Sequence, residues 1–211
     1  MAGVKGQVNR RGVERRREIV DAAIRLFGRG GSRGTSIAAI AAEAGVTPGN
    51  VLHHFGGKDA LLLAVLKERT RRDQTIATVE HVLAGRGLDV LRRMMVWGEQ
   101  NARDPGFTAA YIAAEAEGMD PDTVAGRYFR DRNGRVRAGI AAALRQGQAE
   151  GEVRAEIDAD QVAAEVLAFL DGAALNWLVD PERLSIEALY RSFLNRFIVM
   201  LAVDPEPPLI P

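Results

Sequence analysis

Residues 35–58, Thr35-Ser36-Ile37-Ala38-Ala39-Ile40-Ala41-Ala42-Glu43-Ala44-Gly45-Val46-Thr47-Pro48-Gly49-Asn50-Val51-Leu52-His53-His54-Phe55-Gly56-Gly57-Lys58, decide how this chain reads. Thr35 or Ser36 can cap a short helix over 37–44, and Gly45 interrupts it. Thr47-Pro48 is a second start signal, a capping hydroxyl followed by proline at the first helical position, and Gly56-Gly57 is the stop. Ile37, Ile40, Ala41, Ala44, Val46, Val51 and Phe55 fall at spacings that bury one face of each helix. Two short helices joined by a tight glycine turn form a helix-turn-helix. Many all-α proteins contain such a pair, so spacing alone leaves a plain packing motif open.

Working outward, residues 14–29 place Ile19, Ala22, Ala23, Leu26 and Phe27 on one stripe with arginines opposite. Gly28, Gly30, Gly31 and Gly34 end that helix. Lys58 opens a longer helix reaching toward Leu83, closed by Gly85 and Gly87. Further helices are expected near 88–102, 106–117, 122–150, 159–178 and 186–202. Their breaks are Asp104-Pro105, Asp120-Pro121, the turn at Gly151, and Asp180-Pro181. The fold class is all-α: a three-helix N-terminal unit followed by a larger helical domain. The expected divisions are a flexible basic arm over 1–14, the helix-turn-helix domain over 15–58, a helical effector and dimerisation domain over 59–203, and a Pro-rich, frayed tail over 204–211.

Composition narrows the function classes. The 211 residues are 47% hydrophobic and 27% charged, a globular balance, and contain no cysteine for a thiol nucleophile or disulfide. The first residues lack the apolar stretch of a secretory signal, and no run looks long enough to span a membrane, so a cytoplasmic protein is expected. With 28 basic and 28 acidic side chains the net charge is zero, yet residues 1–58 hold ten bases and four acids, a net of +6, and the rest balances it at −6. Such an end suits phosphate, although a solvated basic tail would look the same. Catalysis finds little support. His53 and His54 are adjacent, so a helix points them ~100° apart, and His81 stands alone. No phosphate loop, nucleophile elbow or HExxH occurs, so neither an enzyme, a metal nor a cofactor is expected.

The second helix of the pair carries the chemistry. Asn50, Leu52, His53 and His54 point outward from a helix short enough to lie in a major groove. Thr35, Ser36 and Thr47 stand at helix N-termini, where hydroxyls and free N–H groups meet phosphate, and Lys58 adds a cation.

Residues 15–62 resemble the N-terminal domain of TetR-family transcriptional regulators. The resemblance lies in the arginines before Ile19, Ala22-Ala23, Leu26-Phe27, Gly31, Thr35-Ser36-Ile37, Ile40-Ala41, the run Ala44–Asn50, His54-Phe55, Lys58 and Leu61-Leu62. A second stretch, Leu170-Asp171-Gly172 and Asn176 to Pro181, resembles the family's C-terminal helices. The resemblance implies a homodimer on a palindromic operator, usually repressing, released when a small-molecule effector enters the C-terminal domain. It places Thr47, Pro48, Gly49, Asn50, His53 and His54 at recognition-helix positions, and Thr35, Ser36 and Lys58 at phosphate contacts. The family typically has tyrosine where this chain has Leu52, which can offer at most an apolar touch to a thymine methyl. It also implies that the 58–83 helix, shifted by effector, would change the spacing of the two recognition helices. The competing reading is a helical small-molecule or partner-binding protein that does not read DNA.

Met94, Trp97, Phe107, Tyr111, Glu115, Tyr128, Phe129, Asn176 and Trp177 are the candidates for an effector pocket, with Met95, Asn101 and Met119 nearby in sequence. Plain core packing would use the same apolar residues. Val166, Phe169, Ala173, Leu189, Phe193 and Phe197 belong to two wide apolar stripes that could pair with their symmetry mates in a four-helix bundle. An internal core remains the other use of those stripes.

Overall fold

Periodic apolar spacing becomes helix almost throughout the computed structural model, which describes the backbone of residues 2–72, 79–204 and 209–211 and the side chains of 11–68, 79–204 and 209–211. The elements are α1 (Ala2–Gly30), α2 (Ile37–Glu43), α3 (Pro48–Phe55), α4 (Lys58–Arg72), α5 (Val79–Leu83), α6 (Asp89–Arg93), α7 (Met95–Arg103), α8 (Pro105–Glu117), α9 (Val124–Glu150), α10 (Ala159–Val179) and α11 (Ile186–Leu201). The chain divides into two compact units. One holds residues 1–69 and 106–128, the other 70–105 and 129–211.

In the first unit, α1 contributes Ile19, Val20, Ala22, Ala23, Ile24 and Phe27 to a core completed by Ile40 and Ala41 of α2, Val51 and Phe55 of α3, and Leu61, Leu62, Val65 and Leu66 of α4. The Arg16 guanidinium lies 4.6 Å from the Phe55 ring centroid. Helix α8 approaches α1 so closely that a Cβ at Gly28 would stand 3.0 Å from the Gly106 carbonyl oxygen. A backbone oxygen yields less readily than a side chain, so any larger residue there would push the two helices apart by a few tenths of an ångström.

Two expected divisions change. Helix α1 starts at Ala2, so residues 2–14 of the expected flexible arm continue the helix, because adding a turn to an existing helix costs far less than nucleating one. Residues 106–128, expected within the larger domain, fall in the compact unit of the helix-turn-helix. The continuity of the 58–83 helix across 73–78 and the fraying of the tail at 205–208 lie outside the described residues.

In the second unit, α7 packs on α11, where a Cβ at Gly98 would come 3.0 Å from the Tyr190 ring, and α10 lies beside α11. Val82, Leu91, Met94, Ile140, Leu144, Leu170, Leu194 and Ile198 are buried. The helix expected over 88–102 is jointed at Met94, whose N–H is shared between the carbonyls of Val90 at 3.3 Å and Leu91 at 3.2 Å. Arg93-Met94-Met95 contains no helix breaker, so packing rather than local propensity sets the joint. Helix α10, contrary to the expectation of no spanning run, is long and apolar enough to cross a membrane by length and composition. It is a helix of this core nonetheless, burying Val162, Val166, Leu170, Ala173 and Trp177. An antiparallel bridge between Val153 and Ala202 ties the end of α11 to the turn after α9.

Candidate nucleic-acid interface

Helix α3 is rigidly started and stopped. Thr47 caps it in extended geometry, its Oγ1 accepting from the Asn50 N–H at 3.3 Å, while Asn50 Oδ1 accepts from the Thr47 N–H at 3.4 Å. The Thr47 hydroxyl also donates to Asn50 Oδ1 at 2.9 Å. This reciprocal box, with Pro48 at the first turn, satisfies N–H groups that a helix start leaves orphaned. The helix stops at Gly56, in the left-handed region at φ 76°. Val51 and Phe55 anchor one face in the core, and Pro48, Gly49, Asn50, Leu52 and His53 stand exposed on the other.

The cap changes how Asn50 can be used. Its Oδ1 is occupied, leaving the Nδ2 protons to meet an acceptor on a base edge or a phosphate. Leu52 is 46% exposed, so its side chain is free to make the apolar contact expected of it. His54 is half-buried beside His53, their ring centroids 5.6 Å apart. Burial lowers its pKa below the ordinary 6.5, and His53, Arg16 and Arg15 lower it further. In the free protein the fold therefore opposes protonation: any stability carried by this group is complete above pH 6.5 and is lost as the pH falls below 6.5 through the lowered folded-state value. A duplex phosphate placed against His54 would reverse the preference, and binding would then take up a proton. Operator affinity at constant salt should rise several-fold between pH 7.5 and 5.5, read by fluorescence anisotropy, and His54→Gln should flatten that rise.

The expected phosphate contacts divide. Ser36 is exposed and caps α2 by accepting from the Ala39 N–H at 3.1 Å, which leaves its hydroxyl proton to donate. Thr35 is buried and its hydroxyl donates to the Gly31 carbonyl at 2.7 Å, so as a side-chain phosphate donor it is corrected to a residue that closes the α1–α2 turn. Lys58 Nζ donates to the carbonyls of Arg33 at 3.4 Å and Thr35 at 3.3 Å. An ammonium has three donors, so one remains for phosphate. Lys58→Ala should reduce the slope of log affinity against log salt by about 1 and weaken random and selected duplexes alike; an unchanged slope would leave Lys58 a purely structural group.

Sequence reasoning missed the clasp behind this surface. Glu117, at the end of α8, accepts from the Ser32 hydroxyl and, at 3.1 Å, from the Arg33 N–H. Arg33 returns a bond to the Glu117 carbonyl at 3.3 Å and lies 3.9 Å from Asp120. Gly31 has φ 69°, and a Cβ there would stand 2.5 Å from Glu117 Oε1. These partners are 84 and 85 residues apart, beyond any local pattern.

The nine effector candidates do not share one unit. Phe107, Tyr111, Glu115 and Tyr128 belong to the first, with the Phe107 and Tyr111 rings 6.3 Å apart and the Tyr128 hydroxyl donating to the Leu66 carbonyl at 3.3 Å. Met94, Trp97, Phe129 and Trp177 are buried in the second. Asn176 is exposed, and its amide donates back to the Gly172 carbonyl at 2.7 Å. Met119, at 84% exposure, is not a core residue either. Asn101, by contrast, is buried and donates to the Tyr190 hydroxyl at 3.2 Å.

Of the expected pairing residues, Val166 and Ala173 are buried in the core of the second unit and offer little surface to a partner. Phe169, Leu189 and Phe197 are half-buried, and Phe193 is buried between rings, 3.7 Å from Phe169 and 4.3 Å from Phe197. The exposed apolar residues on these helices are Leu175 and Val179 of α10 and Val199 and Met200 of α11, which the stripe reading passed over.

An all-α chain presenting a capped, outward-facing second helix of a helix-turn-helix has the architecture used by DNA-binding regulators. Residues 19–65 match the model of the bacterial regulatory proteins of the tetR family, and residues 96–202 match that of the BetI-type transcriptional repressor C-terminal domain. The chain belongs to the TetR family of DNA-binding transcriptional regulators. Its N-terminal part is 50% identical over 66 residues to the HTH-type transcriptional regulator BetI of Brucella abortus, covering 30% of this chain and 33% of that protein. The chain thus spans about a third of the length of the first curated relatives it matches. BetI of Rhizobium meliloti is 29% identical over 177 residues, covering 82% of this chain and 83% of the relative. Among solved structures, a TetR regulator from Chloroflexus aurantiacus superposes with TM-score 0.73 at 25% identity, covering 92% of this chain and 98% of that one. A transcriptional regulator from Saccharomonospora viridis in complex with choline shares the fold with TM-score 0.65 at 24% identity, covering 91% of this chain and 99% of that one.

Proposed function

We propose that this chain is a cytoplasmic repressor that binds a palindromic operator as a homodimer and leaves it when a small-molecule effector binds the helical body. The observation that carries the reading is α3: a helix capped at both ends, anchored by Val51 and Phe55, and exposing Pro48, Gly49, Asn50, Leu52 and His53 together. Residues 15–58 read the operator in this proposal, and residues 59–203 supply effector binding and dimerisation. Exposed Leu175, Val179, Val199 and Met200 support pairing through α10 and α11, since apolar side chains gain by burial against a second copy. The choline bound to the Saccharomonospora viridis neighbour supports a small molecule as the input, without naming this chain's own.

Selection of bound duplexes from random DNA tests the proposal. Palindromic winners with half-sites about one helical turn apart are expected. Asn50→Ala and His53→Ala should change which bases are enriched; preference untouched by His53→Ala would remove His53 as a base reader. Exposed Leu52 favours one alternative, a partner-binding protein without operator specificity. In that case no duplex would be enriched and binding to random DNA would respond flatly to salt.

A further inference from the structure

Helix α7 carries two neighbouring buried amides with opposite fates. Asn101 is wired: its Nδ2 donates to the Tyr190 hydroxyl at 3.2 Å, which in turn donates to the Leu170 carbonyl at 2.9 Å. Gln100 is 9% exposed, and among the described residues neither its Oε1 nor its Nε2 has a hydrogen-bond partner. A protein gains nothing by burying a bare amide; each unmet polar group keeps its desolvation cost. One turn back on the same helix face stands Trp97, 5% exposed, with the buried Arg132 guanidinium 5.5 Å from its ring centroid.

Resting on the effector reading above, we infer that Gln100 is the polar anchor of the effector site and selects an uncharged ligand carrying an amide-like edge, a donor and an acceptor side by side. The class follows from what Gln100 lacks. Its amide needs an acceptor for Nε2 and a donor for Oε1 at once. A carboxylate satisfies the first and sets negative charge against the second. A quaternary ammonium donates no hydrogen bond, and the Trp97 face that would attract it already holds a guanidinium. A neutral amide, lactam or imide answers both atoms.

The test uses the full chain and its selected operator duplex with benzamide, nicotinamide, δ-valerolactam, choline and benzoate. At least one of the three neutral amides should raise the melting temperature of the wild type and dissociate the duplex, while choline and benzoate should do neither. Gln100→Leu, and Gln100→Met as a second apolar variant, should melt about 2–8 °C higher than wild type without ligand, since the unmet amide is gone. Both should bind that neutral amide at least tenfold more weakly. The exposed Arg103→Ala control should bind it as wild type does. Variants that melt lower than wild type, or that bind the amide equally well, overturn the role of Gln100. Release by choline alone also overturns it and leaves the effector reading standing. Binding by none of the five overturns it too; the effector reading then falls separately if no member of a broad metabolite library releases the duplex.

Discussion

Phe55→Ala is expected to abolish operator binding by unfolding the unit that reads it. The ring closes the inner face of α3, and the Arg16 guanidinium covers it at 4.6 Å. Removing a buried phenylalanine costs ~3–5 kcal/mol through lost burial and the cavity left behind. Whole domains are stable by only ~5–15 kcal/mol, and this core is shared among short helices with few alternative contacts. The Arg16 side chain would also lose the face it lies on. Thermal unfolding followed by circular dichroism should show an early transition absent from wild type, while the second unit melts as before. Leu52→Ala serves as the comparison: that side chain is half out in solvent on the same helix and should leave the melting curve unchanged. A Phe55→Ala protein that melts with wild type and binds operator would show that α3 is held by something other than this ring.

The second large effect is expected at Glu117. Its carboxylate accepts from the Ser32 hydroxyl and the Arg33 N–H, and hydrogen bonds to a charged group are worth ~1.5–3 kcal/mol each. The site is partly exposed and the bonds share one group, so Glu117→Ala should cost about 2–3 kcal/mol in this unit rather than the sum. The loss should be local: the Arg33 amide, now bonded to Glu117 Oε1, should exchange with deuterium far faster, and that of Val51 should change little. Glu117→Gln retains an acceptor oxygen and should recover part of the protection. Equal exchange at Arg33 in all three proteins would dismiss the clasp.

What the sequence made legible was whatever short spacing encodes. The Thr47-Pro48 start, the Gly56 stop and the inward set Ile40, Ala41, Val51 and Phe55 all follow from periods of three and four residues and from capping chemistry. The position of α3 and its exposed face came from the same signals. What escaped detection depends on partners distant in the chain. Thr35 reads as an N-terminal hydroxyl, yet its proton goes to Gly31 because the turn folds inward. Glu117 looks like any helix-end acid until α8 is laid against the α1–α2 turn. Val166 sits on a wide apolar stripe whose inward and outward sides no single helix can distinguish. Gln100 escaped because a buried amide is recognised only once its surroundings are known. The Met94 joint left no trace, since Leu91, Arg92, Arg93, Met94 and Met95 are all good helix formers.

Because residues 106–128 belong to the same compact unit as α1–α3, the DNA-reading module is not one continuous segment of the gene. A chimaera joined once, near residue 58 or 70, would transplant the recognition helix but leave Glu117 in the other parent, with Ser32 and Arg33 facing a foreign side chain. Swapping operator specificity between such regulators therefore calls for two exchanged segments, and a library that recombines them at a single crossover should be depleted of working repressors unless both parents keep an acid at that place.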